Sequence, residues 1–435
     1  MRNSLRSRRG SVAFATVVAL VPLIGAMALG AETGSWYVTK QHAQNAADAA
    51  AYSGGVQQAC LNSPPCAVSN TVDYRAKQFA AQHSFCNGGD TTAYPGSRCL
   101  GSLPSGTTQT VQIASVSSWK GASGNFVQAS VSQQQPTYLA AVLGLSTVNI
   151  GATATAEVKT FNPPPCALAL GGPISFQGNA SVNAPGCSVA SNSSANNALN
   201  FTGNASINVG ALYSSGGCTS AGNTSSICSR AFIDMPAVIN PFSVLDGVSI
   251  PTLSNCSGGQ LTAYAATTPC KNNNVSVAGN KTITLSGVYF ISGTLSLTGN
   301  ISMSGTALLI LLPGTSISLA GNSTISIINP SSLTTSQLPS TLQPYANLLA
   351  NMAIYDRSSL PISTAGNTNI AFNGTIYAPN ASVTFQGNPS VGVSNCRQLI
   401  AASIGFIGNA NAAFSNNGCS ASAKPVAQYV RLVPS

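Results

Sequence analysis

The amino-acid sequence predicts a mainly β protein with an N-terminal transmembrane helix, a small α+β module and a C-terminal parallel β-helix (solenoid). Three observations predict it. An uncharged run of 21 residues lies near the start, apolar and polar residues alternate in the middle, and a short Gly-Asn phrase returns through the C-terminal part. The predicted parts are residues 1–56, 57–160 and 166–435, with a linker at 161–165.

The Gly-Asn phrase is the strongest signal in the chain. It combines an apolar residue, Gly-Asn, Ser or Thr and an aliphatic residue, as in Phe176–Val182. Most pairs lie 20 to 25 residues apart, and we interpret the interval of 45 after Gly321 as two units and that of 76 after Gly203 as three units plus an insertion. Such a period indicates a solenoid. Glycine accepts left-handed backbone angles and Asn side chains stack on one another, so the pairs are predicted to lie at one corner. The eight pairs are Gly178-Asn179, Gly203-Asn204, Gly279-Asn280, Gly299-Asn300, Gly321-Asn322, Gly366-Asn367, Gly387-Asn388 and Gly408-Asn409.

The composition restricts the class of protein and of partner. Only 6% of the residues are charged and 41 are glycine, which favours stacked β structure over a long helical bundle. The net charge of +9 is concentrated at the N-terminus, where Arg2, Arg6, Arg8 and Arg9 precede residue 10. Since no basic stripe with interleaved aromatic residues follows, a nucleic-acid partner is not expected.

The uncharged run Ser11–Ala31, which includes Val12 and Pro22, is long enough to cross a bilayer as a helix. Four arginines precede it, so the N-terminus is predicted to be cytoplasmic and the rest extracytoplasmic. Trp36 and Tyr37 would then lie at the outer interface, and helix is predicted to continue to Gly54. We therefore expect a single-pass membrane protein. The alternative is a cleaved secretory signal, which the small residues around Ala26–Ala31 permit.

The segment after this run resembles a known family. The residues around Arg9–Ala13, the apolar span and the motif Gln44, Asn45, Ala46, Ala47, Asp48, Ala49 are similar to the N-terminal domain of TadG-like proteins of Flp (tight adherence) pilus assembly. The resemblance implies a bacterial, single-span inner-membrane protein associated with pilus or secretion-system proteins. Related pseudopilins carry Glu where this chain has Ala15, which disfavours processing by a prepilin peptidase. Asp48 has two interpretations, a contact to a partner helix or a solvated charge.

Residues 57–160 predict a small α+β module. Thr110–Trp119, Phe126–Val131 and Val148–Val158 alternate as half-buried strands do, and Pro136–Gly144 predicts a short helix ending at glycine. Asn162–Pro165 predicts a stiff linker. Within 166–435, residues 329–349 predict a loop followed by a short helix, residues 215–275 an irregular insertion, and Ala427–Leu432 an edge strand or cap.

The cysteines predict disulfides rather than a metal site. All twelve follow the apolar run, no CxxC motif is present, and the chain has only two histidines. Pairing of sequence neighbours is the preferred connectivity, although spacing alone does not fix it. The predicted pairs are Cys60/Cys66, Cys86/Cys99, Cys166/Cys187, Cys218/Cys228, Cys256/Cys270 and Cys396/Cys419.

The sequence does not predict an enzyme, a cofactor or a metal. After residue 160 the acids are Asp234, Asp246 and Asp356, and no histidine follows His83, so paired carboxylates and a histidine base are not apparent. Two hypotheses remain. The first is an accessory or structural protein of Flp pilus assembly or surface adhesion. The second is a tethered β-helix that binds carbohydrate, an external surface or ice; residues 280–408 loosely resemble an ice-binding adhesin, but their outward positions mix Ser, Thr, Asn and Ala.

Overall fold

The computed structural model describes residues 9–62, 70–88, 90, 94–99, 102–224, 226–257, 261–388, 390–391 and 395–434. The chain forms two compact units. Unit 1 comprises residues 1–159 together with 429–435, and unit 2 comprises residues 160–428. Unit 2 is therefore inserted between two segments of unit 1. The tail, which was predicted to end the C-terminal domain, belongs to unit 1 instead.

Unit 1 combines helices with one four-stranded sheet. The helices are α1 (Arg9–Leu61) and α2 (Val72–Gln82). The strands are β1 (Thr108–Trp119), β2 (Ala122–Pro136), β3 (Thr147–Thr160) and the last strand of the chain, β21 (Gln428–Val433), in the order β1-β2-β3-β21. Both β1–β2 and β2–β3 are antiparallel.

Two local expectations for unit 1 need correction. The predicted helix at 136–144 is only a 3-10 turn, Ala140–Leu143, which ends at Gly144 with φ +88°. Helix α2 was not predicted, because Pro, Gly and Asn surround it in the sequence. Its start is nevertheless ordinary: the Thr71 hydroxyl accepts a hydrogen bond from the Tyr74 N–H at 3.1 Å. A salt bridge between Arg431 and Glu157 (2.7 Å) joins the final strand to β3.

Unit 2 is mainly β, with parallel strand pairing. Its strands are β4 (Pro165–Ala169), β5 (Ile174–Gly178), β6 (Ser181–Ser191), β7 (Leu199–Gly203), β8 (Ser206–Ser214), β9 (Cys218–Ser220), β10 (Ala231–Phe232), β11 (Ser254–Asn255), β12 (Cys270–Leu311), β13 (Ser316–Gly321), β14 (Thr324–Ile328), β15 (Met352–Asp356), β16 (Ile362–Thr364), β17 (Asn369–Gly387), β18 (Ser390–Val391), β19 (Arg397–Gly408) and β20 (Asn411–Ala413). The short helix α3 (Ala346–Leu349) lies where a loop and helix were expected.

The strands of unit 2 do not pair in chain order. Strand β19, near the end of the unit, pairs in parallel with β4 and β5 at its beginning, and β20 pairs with β6. The chain therefore starts in the middle of the sheet, proceeds to one edge, crosses to the other edge through residues 224–269, and returns to the middle. Successive glycines of the Gly-Asn phrase stay in register, so that Gly408 lies opposite Gly178.

The two long intervals between glycines are not multiples of the repeat. Gly366 lies directly beside Gly321, since a Cβ on Gly366 would approach the Gly321 carbonyl oxygen to 2.9 Å. The interval of 45 is thus one repeat with the insertion that contains α3, and the prediction of two units is wrong. The interval of 76 contains one further pair, Gly222-Asn223, followed by the crossing segment. The prediction of three units is wrong there as well.

The core of unit 2 is a set of aliphatic and aromatic columns. One residue of each repeat projects inward at the same register, and four phenylalanines form a column in the order Phe385, Phe406, Phe176, Phe201. Their ring centroids lie 4.8–5.5 Å apart and the rings are nearly parallel. Offset stacking adds to the stabilisation that burial provides.

Five disulfides join described cysteines, and each links the sequence neighbours that the cysteine order predicts. They are Cys86–Cys99, Cys166–Cys187, Cys218–Cys228, Cys256–Cys270 and Cys396–Cys419. Nearest-neighbour pairing is therefore confirmed for these ten residues. The sixth predicted pair, Cys60 with Cys66, is not tested, because Cys66 lies outside the described residues.

The five bonds differ in how far they are enclosed. Cys99 and Cys228 are half-buried, whereas Cys419 is buried. Each bond spans at most 23 residues, so each one joins segments that are close in sequence rather than distant parts of the chain.

Replacing both Cys166 and Cys187 by Ala is expected to lower the free energy of unfolding by about 3 kcal/mol. The bond closes a loop of 21 residues, and both side chains are buried. Urea unfolding followed by circular dichroism measures the loss. The Cys218/Cys228 double variant is the control, because its bond closes only 10 residues and its loss is expected to be smaller. An equal or larger loss in that control would contradict the argument from loop length.

Gly305 allows the closest backbone approach in the sheet. It has φ +141°, and an added Cβ would lie 2.0 Å from the carbonyl oxygen of Leu285. Gly305→Ala is therefore expected to cost about 2–3 kcal/mol of unfolding free energy. Gly314→Ala is the matched control, since Gly314 also has positive φ (+80°) but no atom within 4 Å of the added Cβ. Thermal unfolding measures the loss of unfolding free energy in both variants. Equal losses would contradict the predicted clash at Gly305.

Candidate functional site

Helix α1 contains the predicted anchor. Among the described residues, it is the one helix whose length and apolar composition suffice to cross a membrane. A signal sequence can have the same length and composition. Apolar side chains in its first half are exposed, including Val17 at 62% and Met27 at 69%. The helix continues through Pro22 and past the exposed Ala31. The side chains of Ser11 and Val12 lie outside the described set.

The alanine-rich second half of α1 packs on the sheet of unit 1. Ala46 and Ala47 of the motif are fully buried, whereas Asn45 is exposed and Ala49 half-buried. At Gly54, an added Cβ would come within 2.8 Å of the Val127 side chain. Small residues therefore allow the helix backbone to lie close to the strands.

Asp48 bonds within its own helix. Its carboxylate accepts a hydrogen bond from the Gln44 amide at 2.9 Å and is half-buried. The predicted interface residues lie further toward the N-terminus: Trp36 is half-buried, and Tyr37 is 66% exposed.

Glu32 joins α1 to the connection between β2 and β3. Its carboxylate accepts hydrogen bonds from the backbone N–H groups of Tyr138 (2.7 Å), Leu139 and Ala140 (both 3.0 Å). These donors, Tyr138 first, lower the pKa of the Glu32 carboxyl. The contact fixes residues 137–146, here called the β2–β3 connection, at the level of residue 32.

The Gly-Asn pairs of unit 2 lie side by side. The asparagine side-chain amides donate from one repeat to the next at 2.5–3.4 Å. The resulting asparagine ladder contains nine members, in the order Asn223, Asn204, Asn179, Asn409, Asn388, Asn367, Asn322, Asn300, Asn280. Asn223, which was not predicted from the sequence, follows the phrase except that Ser226 stands where the aliphatic residue is expected.

Two strand faces, whose outward residues are half-buried or exposed, flank the ladder. The leading face precedes each Gly-Asn pair, and its outward column is Ser296, Ser318, Ser363, Thr384, Gly405, Ser175, Asn200, Thr219. The trailing face follows each pair, and its described outward side chains are Ser302, Thr324, Asn369, Asn411, Ser181 and Ser206. Neither column contains a charged residue. Both therefore present short hydroxyl and amide groups at the spacing of parallel strands, about 4.8 Å.

A third face is covered by the crossing segment. Its outward column is Ile310, Tyr355, Tyr377, Ile400, Leu168, Ala190, Tyr213, and all of these are buried. Phe242 of the crossing segment packs on Tyr377 with ring centroids 5.2 Å apart. Tyr355 donates a hydrogen bond to the carbonyl of Leu245 at 2.8 Å. Of the three strand faces formed by the described residues of unit 2, the leading and trailing faces therefore remain accessible to a partner.

Family models match the N-terminal part of the chain. Residues 10–58 match the TadE/G-like Flp pilus-assembly family, and residues 54–156 match the Tad-like Flp pilus-assembly family. The two matches meet where α1 packs on the sheet of unit 1. The chain carries an N-terminal TadG-like Flp/Tad domain. Among curated proteins and solved structures, no match to it was found.

In this Tad-domain protein the two matched regions fall within unit 1, and unit 2 lies outside both matches. Strand β21 completes the sheet of unit 1 from the far end of the chain, beyond the matched residues. The sequence resemblance to TadG-like proteins at the N-terminus is thereby confirmed. What the match does not describe is the inserted unit with its asparagine ladder.

The acids of unit 2 have separate surroundings in the Tad-domain protein. Asp246 accepts a hydrogen bond from the Tyr377 hydroxyl, and burial raises the pKa of its carboxyl. Asp356 is fully buried and accepts from the Ser358 N–H at 2.8 Å. Asp234 is exposed. Among the described residues, no group of three or more His, Cys, Asp or Glu side chains is arranged to hold a metal ion.

Arg397 is a buried cation that sequence reasoning did not single out. It is 1% exposed, donates to the carbonyl of Phe372 at 3.0 Å and lies 5.0 Å from the centre of that ring. Burial lowers the pKa of its guanidinium to about 10. Its contacts are with backbone oxygens and an aromatic ring, which indicates a role in holding repeats together rather than in binding from solution.

Proposed function

We propose that this chain is a membrane-anchored, envelope-exposed structural or accessory protein of Flp pilus assembly or surface adhesion. The observation that carries the proposal is the Tad domain pair, in which an apolar helix continues directly into the alanine face that packs on the sheet. The first half of α1 would span the bacterial inner membrane once. The N-terminus would be cytoplasmic, because four arginines precede the span.

Unit 2 would be a parallel β-helix that acts as a rigid presenting element. The in-register glycines, the asparagine ladder and the continuous inward columns support this architecture. A stacked β structure with almost no charge on two faces suits a contact with pilus or secretion-system proteins, or with an external surface. We propose no enzymatic role, since the acids of unit 2 engage in separate contacts and the uncharged faces provide no acid–base pair.

Gene deletion with complementation tests the proposal. Loss of the gene is expected to reduce Flp pili counted by electron microscopy and attachment to a surface at least severalfold, and the full chain is expected to restore both. Unchanged pili and unchanged attachment in the deletion strain would overturn the proposal.

Face variants then distinguish assembly from adhesion. Ser318→Arg with Ser363→Arg places two charges on the leading face, and Val244→Arg on the exposed crossing segment is the matched control. If the leading face contacts a partner, the double variant reduces attachment or pilus number while the control restores both. Equal restoration by the two variants would remove the leading face from the proposal.

A second candidate function is a tethered binding module for carbohydrate, an external surface or ice. The regular outward columns of Ser, Thr and Asn favour it, because short hydroxyl and amide groups hydrogen-bond to sugars and ordered water. In the two outward columns named above, threonine occurs only at Thr384, Thr219 and Thr324, so these columns do not form the regular threonine array that ice binding needs. Glycan-array binding and thermal hysteresis of the full chain in nanodiscs test this candidate directly.

A further inference from the structure

The β2–β3 connection lies where the proposed membrane span ends. The uncharged run ends at Ala31, and Glu32 is the first charged residue after it. The Glu32 carboxylate holds the N–H groups of Tyr138, Leu139 and Ala140 within 2.7–3.0 Å. Trp36 and Tyr37, the aromatic residues expected at the interface, lie one helical turn or more beyond this level.

The remaining contacts of α1 set the direction of the sheet. Lys40 donates to the carbonyl of Gly151, and a Cβ added to Gly55 would lie 3.2 Å from the Ala156 side chain near the far end of β3. From residue 32 to residue 55 the helix rises about 35 Å, and β3 runs alongside in the same direction. The β2–β3 connection therefore lies at the membrane end of unit 1, whereas the β1–β2 turn lies at the opposite end of β2, about 45 Å away.

The composition of the connection is unusual for a solvated loop. Residues 133–148 contain no charge. Three of its apolar or aromatic side chains are exposed: Tyr138 at 80%, Leu145 at 57% and Leu139 at 37%. Aromatic rings with one polar edge and aliphatic side chains beside them are favoured at the boundary between lipid headgroups and acyl chains.

We propose that the β2–β3 connection is a second membrane contact, which inserts Tyr138, Leu139 and Leu145 into the outer interface of the bilayer that α1 spans. The partner is the phospholipid surface itself. The contact rests on the proposed membrane anchor and extends it, because a helix alone leaves unit 1 free to tilt. Glu32 positions the connection by holding three of its backbone N–H groups.

The test uses the full chain in phosphatidylcholine liposomes with an environment-sensitive NBD label on a single added cysteine, native disulfides being left oxidised. The contact site is Leu145→Cys. The matched control is Ser118→Cys, which is exposed near the β1–β2 turn. A third site, Leu20→Cys, reports on the span itself. Lipids with a shallow doxyl quencher are expected to reduce emission at position 145 at least twofold and to leave position 118 unchanged.

The three sites separate the two proposals. If lipids with a doxyl group deep in the acyl chain quench the label at position 20, but the shallow doxyl group does not quench the label at position 145, the membrane contact is overturned and the anchor remains intact. Absence of quenching at position 20 would overturn the anchor, and the membrane contact would fail with it. Equal quenching at positions 118 and 145 would also overturn the contact, because it would indicate non-specific adsorption of the sheet.

Discussion

Phe176→Ala is expected to lower the free energy of unfolding of unit 2 by about 3–5 kcal/mol, the usual cost of removing a fully buried phenylalanine. Phe176 is 0% exposed and stacks between Phe201, with centroids 4.8 Å apart, and Phe406, at 5.1 Å. The substitution leaves a cavity and removes two ring contacts. Because Phe406 belongs to the last repeat along the chain and Phe176 to the first, the loss falls on the junction between them.

Equilibrium unfolding in urea at constant pH, followed by far-ultraviolet circular dichroism, measures this loss. Phe176→Leu is the matched control: it retains most of the volume and is expected to cost about 1–1.5 kcal/mol. A loss below about 1 kcal/mol for the alanine variant would show that the ring is not enclosed between its two neighbours.

Asp356→Asn is expected to stabilise the protein at neutral pH and not at acidic pH. Burial raises the pKa of the Asp356 carboxyl to about 7, against the smaller opposing effect of the Ser358 N–H. In the unfolded chain the carboxyl ionises near its ordinary value of 3.8. The stability that the neutral carboxyl provides is therefore complete below about pH 4 and is lost as the pH rises to about 7.

The asparagine variant cannot ionise, and its side-chain oxygen still accepts from Ser358. Its free energy of unfolding relative to the native chain is expected to rise by about 1.4 kcal/mol per pH unit across that window and to level off near 4 kcal/mol by pH 8. Urea midpoints at pH 4.5, 6 and 8 measure the difference. Asp234→Asn, at an exposed position, is the control and is expected to follow the native chain. A constant difference for Asp356→Asn at all three pH values would contradict the argument.

The sequence predicts well those features of unit 2 in which the backbone dictates the residue type. Each repeat requires left-handed backbone at one position, so glycine recurs there, and Asn179 or Asn204 can be assigned to the ladder from sequence. The missed pair, Gly222-Asn223, has Ser226 at the position of the aliphatic residue, and its repeat leads into the crossing segment. The sequence Gly222-Asn223-Thr224 alone is nevertheless sufficient to predict that this pair belongs to the ladder.

The order of the repeats could not be predicted from the sequence. Every repeat presents similar aliphatic residues and strand edges. The local sequence pattern is therefore compatible with two arrangements: the repeat of Gly408 pairs only with that of Gly387, or it pairs with that of Gly178 as well. The partner of the last strand was hidden for the same reason, since an edge strand at 427–432 fits either sheet. The contact that decides this, the salt bridge of Arg431 with Glu157, joins residues 274 positions apart.

The third face, which the crossing segment covers, could be predicted only in part from the sequence. The continuous apolar run around Leu308–Leu312 is typical of a strand buried on both sides, in contrast to the alternation of its neighbours. The tyrosines of that face were not identified, because Tyr213, Tyr355 and Tyr377 become a group only when the repeats are stacked. Their hydroxyl partners lie in the crossing segment, more than 20 residues away in sequence.

The last repeat of unit 2 along the chain pairs with the first, and a disulfide between Gln177→Cys and Ile407→Cys tests this pairing. These residues are register partners on β5 and β19 and project outward, at a spacing that a disulfide spans. Gln177→Cys with Thr202→Cys, partners on β5 and β7, is the positive control. Peptide mapping by mass spectrometry under non-reducing conditions is expected to recover both links. Recovery of the 177–202 link without the 177–407 link would contradict the account.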